Sequence, residues 1–154
     1  MRVHIGSDHA GFELKNYLIT ALAEDGHEVV DHGPEAYDAE DDYPLYCIPA
    51  AEAAVADPRS LCIVIGGSGN GEQMAANKVI GTRAALAYNL ETARLGRQHN
   101  DANVIAIGAR MHTEEEALEM VRLFLATPFS GDPRHARRIA LLADYEKTRW
   151  TANA

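Results

Sequence analysis

Five short strand-like runs, at residues 1–6, 27–31, 61–65, 83–87 and 103–107, alternate with stretches of helical spacing. This alternation constrains the fold more than any other feature. A strand followed by a helix can cross over and pair in parallel with the next strand. The helical stretches are 11–24, 46–55, 72–78, about 89–99, 113–126 and 134–149. In the first of them Phe12, Leu14, Leu18, Ala21 and Leu22 share one face. Asn89 is an N-cap by type, Thr113 and Glu116 have capping-box spacing, Pro128 stops that helix and Pro133 can start the last. The expected architecture is α/β: a single Rossmann-like three-layer domain over residues 1–150. It has a five-stranded parallel sheet, helices on both faces and an extra C-terminal helix. Residues 151–154 read as a frayed tail.

Composition narrows the function classes. The 154 residues carry 14 Lys and Arg against 23 Asp and Glu, a net charge of −9. So acidic a chain is a poor partner for nucleic acid or an anionic membrane surface. No apolar run approaches the roughly 20 residues that a membrane helix needs. The first residues run straight into a strand pattern, without a signal-peptide stretch. Cys47 and Cys62 both lie in apolar segments and form no disulfide framework, so reduced thiols in a cytoplasmic protein are expected. Charge is uneven. Residues 20–60 hold 11 acids and one base, Arg59, whereas Arg134, Arg137, Arg138, Lys147 and Arg149 crowd the last helix.

In parallel α/β sheets, ligands sit beyond the C-terminal ends of the strands. That singles out the loops after the first, third and fifth runs. The sharpest is Gly66-Gly67-Ser68-Gly69-Asn70-Gly71, four glycines in six residues between a buried strand and a helix. Its spacing is not a dinucleotide fingerprint, and no Lys-Ser/Thr pair makes it a P-loop. Two glycines would suffice for a tight turn with positive φ. Four point to a nest of backbone N–H groups around an anion.

Glu72 follows the loop. It is either a first-turn charge favoured by the helix dipole or a general base at the mouth of the nest. The dipole lowers a carboxylate pKa and burial raises it, so the two roles compete. Asp8 and His9 end the first strand; Asp8 suits a cap, and His9 a proton donor, a ligand group or a plain surface residue. His99 and Asn100 end the fourth helix, where a helix C-terminus favours imidazolium, or a plain surface histidine. Arg134 and Arg138 are i, i+4 on one face and suit phosphate, with Arg110 as a third candidate. The seven histidines show no metal-ligand spacing, so no metal site is expected.

Taken together, several motifs resemble the family of type-B ribose-5-phosphate and galactose-6-phosphate isomerases. They are Gly6-Ser7-Asp8-His9-Ala10-Gly11, the Asp42-Tyr43-Pro44 step, Gly67-Ser68-Gly69-Asn70-Gly71 with Ala75-Ala76-Asn77-Lys78, and His99-Asn100-Asp101-Ala102-Asn103. They occur in family order, and the resemblance spans residues 1 to about 150. It implies an aldose–ketose isomerase acting on a sugar phosphate, ribose 5-phosphate first, without metal or organic cofactor. A base would move a proton between C2 and C1 through an enediolate, with loop N–H groups holding the oxyanion. By motif match, Asp8 and His9 bind substrate and Gly67, Ser68, Gly69, Asn70 and Gly71 form the anion hole. His99 assists ring opening, while Asn100, Arg110, Arg134 and Arg138 hold the sugar and its phosphate. Many members place a cysteine base just before the loop's second glycine, and here that position is Gly66. Cys62 lies four residues upstream inside the strand. The chain more closely resembles the branch with a glutamate after the loop's last glycine, which matches Glu72.

Topology adds one expectation. The glycine loop and Asp8 lie at the strands' C-terminal edge, and His99 at the opposite edge. If both act on one sugar, His99 comes from a neighbouring subunit, giving a homodimer with shared sites, or a tetramer of such subunits. Two alternatives stand beside the ribose reading: a six-carbon aldose phosphate isomerase, and a phosphosugar-binding module without turnover; motif spacing argues against a third, a nucleotide-binding flavodoxin-like domain.

Overall fold

The computed structural model describes residues 1–149; the tail at 151–154 lies outside the described residues. Five strands, β1 (Arg2–Ser7), β2 (Glu28–Asp31), β3 (Leu61–Gly66), β4 (Ala84–Leu86) and β5 (Val104–Gly108), form one sheet. All pairings are parallel and the spatial order is β2-β1-β3-β5-β4. The helices are α1 (Phe12–Glu24), α2 (Pro44–Ala56), α3 (Asn70–Ala76), α4 (Leu90–Asn100), α5 (Glu114–Ala126) and α6 (Pro133–Thr148). The expected α/β architecture is therefore the observed one, three layers with α6 added.

Strand alternation divides the core in two. Ile63 and Ile65 of β3 pack with Leu18 and Leu22 of α1 and Val121 and Phe124 of α5. Cys62 and Val64 face the other way, onto Cys47, Ala50 and Ala54 of α2 and Ala75 and Ala76 of α3. Every residue of β3 and β5 is buried, as a strand covered on both faces requires. Truncating an isoleucine such as Ile63 to Ala there costs about 2–5 kcal/mol. The second face uses small side chains, so α2 rides close to the sheet: a Cβ on Gly6 would come within 2.7 Å of the Tyr46 carbonyl.

Helix starts follow their caps. Asn89 and Thr113 each make the reciprocal capping box with the third helical residue. α2 begins at Pro44, two residues before the alanine-rich stretch, because proline fits the first helical turn. α3 begins at Asn70, so the last two residues of the glycine segment are helical rather than loop. α6 is nearly all exposed, with His135 its one buried residue among those described. Leu141, Leu142 and Tyr145 on it face solvent in the single chain.

The strand order creates the site. The chain leaves β1 toward one edge of the sheet and β3 toward the other, so a crevice opens between their C-terminal ends. Asp8, the glycine segment and the residues after β5 meet there, because Gly66 is level with Gly108 across the β3–β5 pair.

Candidate active site

Glu72 stands in the first turn of α3 and is 4% exposed. Its pKa is raised, chiefly by burial, with the Asp8 carboxylate adding to the effect. The N–H groups of Glu72 itself and Gly69 pull the other way. Desolvation thus outweighs the helix terminus, so the carboxylate holds a proton more readily than a solvated one. A Cβ built on Gly66 would coincide with this carboxylate. Glu72 therefore fills the seat that a side chain at position 66 would occupy.

The loop's glycines have different reasons to be glycine. Only Gly69 among the four has positive φ, +85°, as the left-handed N-cap of α3. Positive φ explains that one. Gly67 and Gly71 are places of close approach instead: a Cβ there would meet Arg110 Nη1 at 3.0 Å and the Tyr43 ring at 2.6 Å. The Arg110 guanidinium and the Tyr43 phenol thus lie over the loop. The side chain of Ser68 accepts from the Asn70 N–H at 3.3 Å.

Asp8 is buried, and its Oδ1 accepts from the Gly11 N–H at 3.1 Å, capping the single 3-10 turn of residues His9–Gly11. His9 is held by Asp41, whose Oδ1 lies 2.8 Å from His9 Nδ1 and 2.9 Å from its backbone nitrogen. That hydrogen bond raises the His9 pKa, and Asp8 adds to it while Arg110 opposes it. Asp8, His9, the glycine loop, Glu72 and Arg110 therefore form one cluster within a single chain.

His99 and Asn100 belong to a second cluster. They end α4, which feeds β5 at the strand's N-terminal end. The His99 ring stacks on His135 of α6, centroids 4.3 Å apart. Burial lowers the His135 pKa, and nearby His99, Arg134 and Arg138 lower it further. Its Nδ1 lies 3.1 Å from Ser130 Oγ. Arg83 fixes the turn below, donating from Nε to the Asn100 carbonyl at 3.0 Å and from Nη2 to that of Asp101 at 2.8 Å. A cleft of about 730 Å³ opens on this side, between α6 and the start of β4, lined by Ile80, Arg83, Asn100 and Leu142 among others.

The two clusters are apart. Val104 is level with Cys62, and Glu72 packs at Gly66, four strand steps further on. Four steps are roughly 13 Å, and His99 precedes Val104 by another turn of chain. One chain brings Asp8, His9, Gly67, Ser68, Gly69, Asn70, Gly71, Glu72 and Arg110 together, and keeps His99, Asn100, Arg134 and Arg138 separate. Both cysteines are buried: burial pushes both thiol pKa values far up, and carboxylates around Cys47 push it further.

Sequence reasoning did not single out Asp41, His135 or the position of Tyr43 over the loop. Asp41 is one of several acids in a loop, and its partner His9 lies 32 residues away. His135 carried a signal, since it is the neighbour of Arg134 and three residues before Arg138.

Comparison with known proteins places the chain in a family. A model of the Ribose/Galactose Isomerase family matches residues 3–142. Ribose-5-phosphate isomerase B of Mycolicibacterium paratuberculosis is 61% identical over 148 residues, covering 96% of this chain and 93% of that protein. The Mycobacterium tuberculosis protein of the same name is 59% identical, covering 96% and 91%. The crystal structure of ribose-5-phosphate isomerase B from Mycoplasma genitalium with bound ribulose-5-phosphate superposes with a TM-score of 0.92 at 41% identity, covering 96% of this chain and 97% of that one. The chain belongs to the ribose/galactose isomerase family.

Proposed function

We infer that this protein interconverts ribose 5-phosphate and ribulose 5-phosphate through an enediolate, with Glu72 as the base. The observation that carries the reading is the Glu72 carboxylate, buried, held at raised pKa and seated at the mouth of the glycine loop. A base for a carbon acid next to a carbonyl works best when its pKa lies near the working pH. Glu72 takes the proton from C2 and returns it to C1. The enediolate oxygen meets the N–H groups of Gly67 to Gly71, which need no reorganisation as charge develops. Asp8 and His9 hold the open-chain sugar, and Arg110 lies over the loop.

His99 opens the sugar ring, and Arg134 and Arg138 take the phosphate. Because these groups stand at the opposite edge of the sheet, the working site joins the Glu72 cluster of one subunit to the His99 cluster of its partner. The exposed apolar residues of α6 are surface that a second subunit can cover. A two-fold dimer closes two such sites at once. Two buried, unpaired thiols suit a reducing compartment, the cytoplasm.

A coupled isomerase assay across five- and six-carbon aldose phosphates tests the reading. Ribose 5-phosphate should turn over fastest. Faster turnover of a six-carbon aldose phosphate would reassign the substrate, and turnover of none would leave a phosphosugar-binding module.

A further inference from the structure

Asp41 lies in the acidic segment between β2 and α2, among Asp38, Glu40 and Asp42. In the fold it differs from an ordinary solvated acid. Its side chain is 3% exposed. One oxygen, Oδ1, receives both the backbone N–H and the ring Nδ1 of His9. The other, Oδ2, is buried and has no partner among the described residues. A buried carboxylate with one oxygen unmatched is costly unless an opposite charge faces it.

The groups facing His9 are few. Asp41 comes from the loop, Asp8 from the end of β1, and Arg110 from the segment after β5. The Tyr37 ring meets the imidazole edge-on, at 6.2 Å. Two carboxylates against one guanidinium leave the surroundings of the ring negative.

We propose that Asp41 is the positioning residue for His9: its double contact at Oδ1 fixes a proton on Nδ1 and leaves Nε2 as the ring nitrogen offered to the ligand. The inference rests on the isomerase reading for the identity of the ligand. An aspartate on Nδ1 sets the tautomer and orientation of an imidazole and favours its cationic form. His9 then presents an Nε2–H donor to an oxygen of the sugar phosphate. Asp41 itself touches no substrate.

The test is a titration of the His9 imidazole nitrogens by heteronuclear NMR in the full-length protein, wild type and Asp41→Asn. Asparagine keeps the shape and one accepting oxygen but not the charge. In wild type, His9 should titrate above the ordinary imidazole value, with Nδ1 protonated in the neutral form. In Asp41→Asn its midpoint should fall by about one pH unit or more. In the same variant, KM should rise about tenfold while kcat changes little, with the alkaline limb of kcat/KM moving to lower pH. A loss of stability alone would not move that limb. A wild-type His9 that titrates at or below the ordinary value, or that carries its neutral proton on Nε2, overturns the proposal even if the variant fails to fold. So does an unshifted midpoint in a folded Asp41→Asn. Because the titration needs no turnover, it judges Asp41 separately: an inactive wild type would remove the isomerase reading and leave the NMR result standing.

Discussion

The carboxylate of Glu72 occupies the space that a side chain on Gly66 would need. The two positions, six residues apart, compete for one seat at the end of β3. The nearest atoms a methyl at 66 would meet are those of the carboxylate, at the end of a side chain, while the β3 backbone is fixed by its pairing with β5 at Gly108. Gly66→Ala should therefore fold, by circular dichroism and melting, yet lose kcat by about 10²–10⁴, the usual worth of a placed base. A folded Gly66→Ala with wild-type kcat would show that the carboxylate does not need that seat.

Burial and Asp8 raise the Glu72 pKa, which sets the sign of two pH effects. If Glu72 is the base, activity requires its ionised form, so kcat/KM should fall as pH drops through its raised pKa. Stability runs the other way. A carboxyl with a folded pKa above its unfolded one stabilises the fold below the unfolded value and loses that contribution as pH rises through the folded one. Glu72→Gln, which cannot ionise, should accordingly melt higher than wild type at pH 7–8, with the gap closing toward pH 4. Matched calorimetric scans at the two pH values check this.

Arg134 and Arg138 share a face of α6 and both lie within electrostatic reach of His135, which stacks on His99. If they take the phosphate, Arg138→Ala should raise KM by about 10–100-fold, the worth of a charge-assisted hydrogen bond, and leave kcat within a few-fold. Inorganic phosphate should compete with substrate in wild type and compete less well in the variant. Steady-state kinetics with phosphate as inhibitor gives both numbers.

The division into two clusters makes complementation possible. If the protein is a two-fold dimer with shared sites, the Glu72→Gln and His99→Ala proteins should each be impaired. After co-refolding, heterodimers contain one site with both wild-type groups, so a random mixture should regain about a quarter of wild-type activity, half the dimers being mixed and each carrying one good site. Mass spectrometry confirms subunit exchange. Exchange without recovered activity would contradict the shared site.

Much of this was legible from residue order alone, because the fold is written in local signals. Apolar runs, the cap type of Asn89 and the capping-box spacing at Thr113 give strands and helices their places, and their alternation gives a parallel sheet. The insertion of β5 between β3 and β4 was not legible, since strand order depends on contacts no local pattern encodes. The glycine segment and Glu72 stood out by composition. Why three of those glycines are glycine did not, because the reasons are Glu72, Arg110 and Tyr43 pressing on them from elsewhere in the fold. Asp41 illustrates the limit: within a run of acids only its burial against His9 sets it apart.

Isomerisation in D2O tests the central claim most directly. A base that carries a proton from C2 to C1 and exchanges it with solvent leaves deuterium at C1 of the ribulose 5-phosphate formed. The account predicts deuterium incorporation by wild type, read by NMR of the product. It predicts loss of that incorporation in Glu72→Gln, by about 10²–10⁴ in rate, while the variant still binds substrate. Incorporation by folded Glu72→Gln at the wild-type rate would contradict Glu72 as the base.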